Sequence, residues 1–389
     1  MLVNRRVSLA GILALAATPV LARPLKAAAS PWSAVEAQAQ AMITGKLTPG
    51  LQVCVRKHGK TVFSRGFGAA NLETATPMTP TSVVRIGSIT KQFTAAAILL
   101  LAQDGKLSLD DSLGIYLPDF PNASKLRLRR MLSHTSGLGN YTQVNPLQFL
   151  QMTRTDRSAK DLVKAMAEAS PTLAYEPGTD WRYSNTAYVL LGAVIEAVAS
   201  QSYAEFFQQR LLAPNGLTHT TVDDAARVVS NRASGYSSAR VGPSGFDNAS
   251  FIGMSWPGAA GNLRSTCEDL CAWHGALLGG KVLSPDSLKA MLTPVRLNDG
   301  QLPTQPKKGG GREPVSYGFG IGLDPRDGRP SVSHNGGIQG FASHLETLTD
   351  EDITIATVMN TDGGPFAPKA LATAPGELEA AIRKVARAL

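Results

Sequence analysis

Ser88 and Lys91, in "RIGSITKQF", stand three residues apart where small residues give way to the apolar run "TAAAILLLAQDGKL". That separation is close to one helical turn, so both side chains project on one face at a helix start. A serine there is a candidate nucleophile, because backbone N–H groups nearby can stabilise an oxyanion. A lysine in an interior helix, close to a positive helix end, has its ammonium form disfavoured and becomes a usable base near neutral pH. The stretch from Ala95 to Leu101 is almost entirely apolar, which predicts a helix buried on all sides and ended by Gly105. A capping serine followed by a solvated lysine is the plainer reading, so the pair needs company.

Company comes from two further places. Tyr183 and Asn185, in "YEPGTDWRYSNTAYVLLG", precede a second apolar helix. A hydroxyl and an amide two residues apart can face a cleft from one turn, as proton relay and hydrogen-bond donor. His334, Gly336 and Gly337, in "SVSHNGGIQGF", lie on an expected strand. Side chains alternate there, so His334 and Gly336 face the same way and leave a glycine surface for an extended substrate.

These groups must be positioned by the elements around them. "SPWSAVEAQAQAMITGK" reads as a helix capped by Ser30, with Pro31 at its first position and Trp32, Val35, Ala39, Met42 and Ile43 on one face. Strands "LQVCVRK" and "TVFSRGFGAAN" follow, joined at His58-Gly59 as an antiparallel hairpin. Near the other end, "YGFGIGL", "PSVSHNGG", "FASHLETLT" and "DITIATVMN" read as successive strands. The closing helix "PGELEAAIRKVARAL" has Leu378, Ile382, Val385 and Leu389 on one side. Between these ends the pattern is mostly helical, interrupted by long loops at Tyr236–Gly261 and Arg296–Val315. The expectation is an α+β fold: one antiparallel sheet built from both chain ends, flanked by the terminal helices, with a large helical lobe inserted and the site at their junction. The sheet lobe takes residues from about 30–87 and 315–389, and the helical lobe about 88–314, within one domain over 23–389.

Composition narrows the rest. With 389 residues, 43% hydrophobic and 17% charged, the chain is long enough for a large core and is not disordered. A net charge of +8 is spread without basic clusters interleaved with aromatics, so nucleic acid is not an expected partner. Residues 1–22, "MLVNRRVSLAGILALAATPVLA", have a basic start, a short apolar middle and a small-residue exit, the pattern of a cleaved export signal. The Arg5-Arg6 pair leaves a twin-arginine route open beside the general one. The expected location is periplasmic or secreted, without stable membrane insertion after signal removal. Cys54, Cys267 and Cys271 read as small core residues, the last two on a helix opened by Ser265 with Glu268 closing a capping box. No spacing suggests a metal site, and no cofactor is expected. His134, in "MLSHTSGL", reads as a loop-ordering residue, because no G-x-S-x-G elbow accompanies it.

With Ser88-x-x-Lys91, Tyr183-x-Asn185 and His334-x-Gly336 in this order, and with "MLSHTSGL", "YEPGTDWRYSN" and "GAAGNLRSTCEDLCAW" between them, the chain resembles the serine β-lactamase-related hydrolases over roughly Leu51 to Asn360. That family includes class C β-lactamases, D-Ala-D-Ala carboxypeptidases of the penicillin-binding type, D-amino-acid peptidases and family VIII esterases. The resemblance implies a β-lactamase/transpeptidase-like fold and acyl transfer through an acyl-Ser88 intermediate. It makes Lys91 the activating base and Tyr183 a partner in proton transfer to the leaving group. Asn185 would hold the lysine or the substrate amide, and the backbone N–H groups of Ser88 and Gly337 would form the oxyanion hole. His334 takes the position often held by lysine, weakening the fixed positive charge that would meet a substrate carboxylate. The expected substrate is a small-molecule or peptide ester or amide. A catalytically inactive sensor that binds penicillins or peptidoglycan fragments is the alternative, and oligomeric state is left open.

Overall fold

The computed structural model describes residues 30–239, 245–307 and 309–389. The inferred export signal at residues 1–22 lies outside them. In chain order the elements that matter are helix α1 (Ser33–Thr44), strands β1 (Gly50–Lys57), β2 (Lys60–Asn71), β3 (Thr76–Pro77) and β4 (Val84–Arg85), and helices α2 (Thr90–Gln103) and α3 (Asn185–Ala199). Then come β5 (Thr221–Val222), β6 (Leu263–Ser265), α4 (Cys267–Leu278), β7 (Ser331–Ile338), β8 (Phe341–Leu348), β9 (Ile353–Met359) and α5 (Ala374–Ala388).

The main sheet is antiparallel with the order β7-β8-β9-β1-β2-β3. Both chain ends supply it, as expected, and β9 joins them by pairing with β1 from Leu51 opposite Met359 to Lys57 opposite Ile353. Alternation divides its side chains between two cores. Leu51, Val53, Val55, Ile353 and Ile355 pack under α1 and α5, while Cys54, Leu345, Ala356 and Val358 join the helical interior on the other face. The three cysteines are free and buried. Cys267 and Cys271 on α4 lie against the β1 backbone, with Sγ 3.4 Å from the Gln52 carbonyl and 3.6 Å from that of Cys54.

Several local expectations shift. Helix α1 begins at Ser33 rather than Pro31, because Trp32 stacks on Phe63 of β2 with ring centroids 4.6 Å apart and anchors the entry. Ser30 accepts the Trp32 N–H instead of capping the helix. α4 is capped by Thr266, whose hydroxyl accepts the Asp269 N–H, one residue later than the Ser265–Glu268 box. "YGFGIGL" forms no strand: Gly320 has φ +70°, and a Cβ at Gly318 would lie 2.0 Å from the Met291 carbonyl, so the chain turns back there. On α5, Leu378, Ile382 and Ala386 face inward and Leu389 is exposed. The rotation follows Arg383, which is drawn into the interior to donate to the buried Glu346 carboxylate on β8 at 2.8 Å. Both long loops carry short hairpins, Tyr236–Ser238 with Phe246–Asn248 and Thr304–Pro306 with Arg312–Pro314.

A second, three-stranded sheet of order β4-β6-β5 sits where the main sheet meets the helices. Gln52 on β1 fixes this junction. Its side chain is fully buried, donates to the Thr79 and Ser82 carbonyls and accepts the Cys267 N–H. The chain leaving β4 therefore enters the turn carrying Ser88 from a fixed position.

Candidate active site

Ser88 sits in a single 3₁₀ turn, Gly87–Ile89, immediately before α2. It is not a helix cap; Thr90 closes that turn by donating its hydroxyl to the Gly87 carbonyl at 2.7 Å. From Thr90 to Leu101 every residue of α2 is buried. Lys91 is thus completely enclosed, with its ammonium nitrogen 3.0 Å from Ser88 Oγ, 2.8 Å from Asn185 Oδ1 and 2.7 Å from the Ala260 carbonyl.

That coordination suits both states of the amine. As an ammonium, Lys91 donates to all three acceptors. As a neutral amine, it has two N–H groups for Asn185 and Ala260 and one lone pair left for the Ser88 hydroxyl proton. Burial favours the neutral amine by pushing Lys91 well below its ordinary 10.5.

Asn185 is the first residue of α3, whose cap is Ser184. Tyr183 stands just before it, with its ring centroid 4.8 Å from Lys91 Nζ. Its hydroxyl is enclosed without a hydrogen-bond partner among the described residues. Burial pushes this phenol far up, with the Ser88 hydroxyl working weakly against it, so it stays protonated.

His134, expected to order its loop, does so by clamping this segment. It has φ +61°. Its carbonyl accepts the Arg182 N–H at 3.1 Å and its Nδ1 accepts the Ser184 N–H at 3.2 Å. Tyr183 is thereby held from both sides, with its ring 4.3 Å from the imidazole.

His334 lies beside Tyr183, ring centroids 6.2 Å apart, yet both its nitrogens are engaged. Nδ1 is 2.6 Å from the Asn335 carbonyl and Nε2 is 2.9 Å from the Tyr317 hydroxyl. An Nδ1–H donor with Nε2 accepting from Tyr317 satisfies both contacts. Burial and the nearby Lys91 bring His334 down to about 3, so it is neutral at working pH.

Gly336 does not present the open glycine surface expected of it. A Cβ there would lie 2.0 Å from the Ile86 carbonyl, so this glycine lets β7 press against the chain entering the Ser88 turn. Gly337 is the glycine that faces open space, and it lines one cavity with Ser88, Asn185 and Tyr141. That cavity is about 100 Å³; a larger one of about 820 Å³, near Arg56 and Lys281, touches none of these residues.

Gly87 sets the spacing between Ser88 and Gly337. It has φ +49°, and a Cβ on it would lie 2.8 Å from Gly337 N and 2.9 Å from its carbonyl oxygen. Gly87→Ala is expected to push the two backbones apart and lower kcat about 10²-fold with little change in KM, as misplaced reacting groups do. Steady-state kinetics check this; an unchanged kcat would mean that the approach is irrelevant to turnover.

The structure therefore brings together Ser88, Lys91, Tyr183, Asn185 and Gly337, keeps His334 one ring away, and turns Gly336 to packing. The Ala260 carbonyl, His134 and Tyr317 join the site without having been expected there. The motif "HTSGL" pointed only to a loop at His134, and a backbone carbonyl leaves no trace in sequence.

A serine against an enclosed lysine whose ammonium form burial disfavours, at the edge of an antiparallel sheet, defines a serine hydrolase of β-lactamase-like fold. The profile of the Beta-lactamase family matches residues 35–378, and the chain belongs to that family. It is 29% identical over 323 residues to penicillin-binding protein 4* of Bacillus subtilis (strain 168), covering 80% of this chain and 68% of that protein. It is 30% identical over 317 residues to a D-aminopeptidase of Gluconobacter oxydans (strain 621H), covering 80% of this chain and 56% of that one. Among solved structures, a D-stereospecific amidohydrolase from Streptomyces sp. superposes with a TM-score of 0.69 at 29% identity, covering 85% of this chain and 94% of the other.

Proposed function

We propose that this protein is an exported serine hydrolase that cleaves ester or amide bonds through an acyl-Ser88 intermediate. The observation that carries the reading is the enclosed Lys91 amine, held by Asn185 and Ala260 with its remaining valence on Ser88 Oγ. In the first step Ser88 Oγ bonds to the substrate carbonyl carbon and its proton passes to Lys91 Nζ. The carbonyl oxygen becomes an oxyanion between the backbone N–H groups of Ser88 and Gly337. The bond to the leaving group then breaks, and that group takes the proton from Lys91 by way of the Tyr183 hydroxyl. Water repeats the sequence to release the acid and regenerate Ser88. Export rests on the basic start, short apolar middle and small-residue exit of residues 1–22.

The walls favour a scissile bond in uncharged surroundings. Tyr141, Phe149, Ile252 and Pro257 line the Ser88 cavity, and among the described residues no acidic or basic side chain does. The relatives' names add D-amino-acid amides to the esters worth testing. Intact mass spectrometry during turnover of p-nitrophenyl butyrate, D- and L-alanine p-nitroanilide and a fluorescent penicillin tests the reading. The expected result is ester or anilide turnover with a transient acyl adduct on the peptide containing Ser88. A permanent penicillin adduct without turnover of any substrate would instead identify a sensor.

A further inference from the structure

Beside the Ser88 cavity lies another of about 190 Å³, and Gln339 lines both. Three arginines reach it. Arg85 stands on β4, three residues before Ser88; Arg264 is its ladder partner on β6; Arg232 comes from the segment bridged to Val83. All three converge on one buried carboxylate, Asp223. Arg85 Nε is 2.7 Å from Oδ2, and Arg264 Nη2 and Arg232 Nη2 are 3.0 and 3.8 Å from Oδ1. Asp224 pairs its own carboxylate with Arg227, gives Arg264 a carbonyl acceptor and adds a weaker charge pull on it. Positive charge is therefore in excess.

Arg264 is the informative member. It is 2% exposed, and among the described residues its Nε and Nη1 have no hydrogen-bond partner. Buried charges are ordinarily paired and buried donors ordinarily satisfied, since leaving them unmade is costly. Burial pushes this guanidinium below its usual value against the pull of Asp223, and Arg232 and Arg85 add to the depression. An oxyanion would take the two free N–H groups and offset the clustered positive charge, because two guanidinium N–H groups match two carboxylate oxygens. Phe251 and Phe341 form an apolar wall beside the arginines, suited to the stem of such a group.

We propose that this cavity is an oxyanion subsite that takes a carboxylate at the far end of the substrate. The inference rests on Ser88 being the acylated residue. It supplies what the site around Ser88 lacks, because the neutral His334 offers no fixed cation there. A free small anion shares the same chemistry and is the other source to be distinguished.

Calorimetric titration of glutarate and of inorganic phosphate into the Ser88→Ala protein tests the subsite without turnover. Saturable binding of one or both is expected, weakened at least about tenfold when Arg232→Gln is added. Arg232 is partly exposed and is the most distant of the three from Asp223, so its replacement leaves the other two ion pairs in place. Kinetics then separate the sources, with p-nitrophenyl esters of linear dicarboxylic acids set against their methyl-capped counterparts. A lower KM for the free-acid esters that disappears in Arg232→Gln, with capped esters unchanged, assigns the site to substrate. Equal KM values with anion binding retained assign it to a free anion. Failure of both anions to bind, or binding indifferent to Arg232→Gln, overturns the proposal. Turnover of capped esters by Ser88→Ala would sink the nucleophile instead, and leave the titration to be judged alone.

Discussion

Ser88→Ala is expected to lower kcat on the order of 10⁶-fold, the scale seen when a serine nucleophile is removed from a hydrolase, while the protein stays folded. The fold does not depend on the hydroxyl. Ser88 Oγ meets the Lys91 amine and the Tyr183 hydroxyl, and neither contact closes the turn, which is held by Thr90 and Gly87. Lys91 keeps Asn185 and Ala260 in the variant, so no buried donor is stripped of every partner. Circular dichroism and the thermal midpoint should therefore match the parent within the small range of a tolerated substitution. Turnover of p-nitrophenyl butyrate should fall to the residual level supported by the oxyanion site and binding alone. The acyl adduct on the Ser88 peptide should vanish from the mass spectrum. A variant that kept wild-type turnover would require another nucleophile.

Much of this site was legible because it is local. Ser88 and Lys91 meet across one turn, and the apolar run after them announces that the lysine is buried. Tyr183 and Asn185 are two residues apart at the mouth of a second apolar helix. What stayed hidden is what the tertiary fold decides. Alternation placed His334 and Gly336 on one face of β7, but only the packing shows that this face meets the Ile86 peptide at Gly336 and the Tyr317 hydroxyl at His334. The Ala260 carbonyl is 169 residues from Lys91 and is a backbone group. Arg85, Arg232 and Arg264 are likewise remote in sequence and look like scattered surface charge until β4 and β6 pair. For the fold, the hairpin and the three C-terminal strands followed from period-two alternation. "YGFGIGL" has that alternation and still turns back, since its glycines serve a left-handed bend and a close approach to Met291 rather than a pleat.

Lys91→Met should remove general-base catalysis, a loss of about 10²–10⁴-fold in kcat, and should change the pH profile as well as the rate. In the parent, the productive amine is neutral and its folded value lies well below 10.5. The logarithm of kcat/KM should therefore climb with pH through that depressed value and level off before 10.5. His334, neutral above about 3, contributes no limb in this range. Stability moves in the same direction. Between the two values the unfolded chain carries the lysine proton and the folded protein does not, so unfolding takes up a proton and stability rises with pH. Below the folded value both states are charged and the burial penalty is present in full; above 10.5 both are neutral and it is gone. Lys91→Met abolishes this linkage, so its thermal midpoint should vary less with pH between the depressed folded value and 10.5 than that of the parent. Rate profiles and melting curves on the two proteins over the same buffers make the comparison. If the variant keeps the parental ascending limb, Lys91 is not the base, and the proton from Ser88 must leave by another route, for which the enclosed Tyr183 hydroxyl beside it is the candidate.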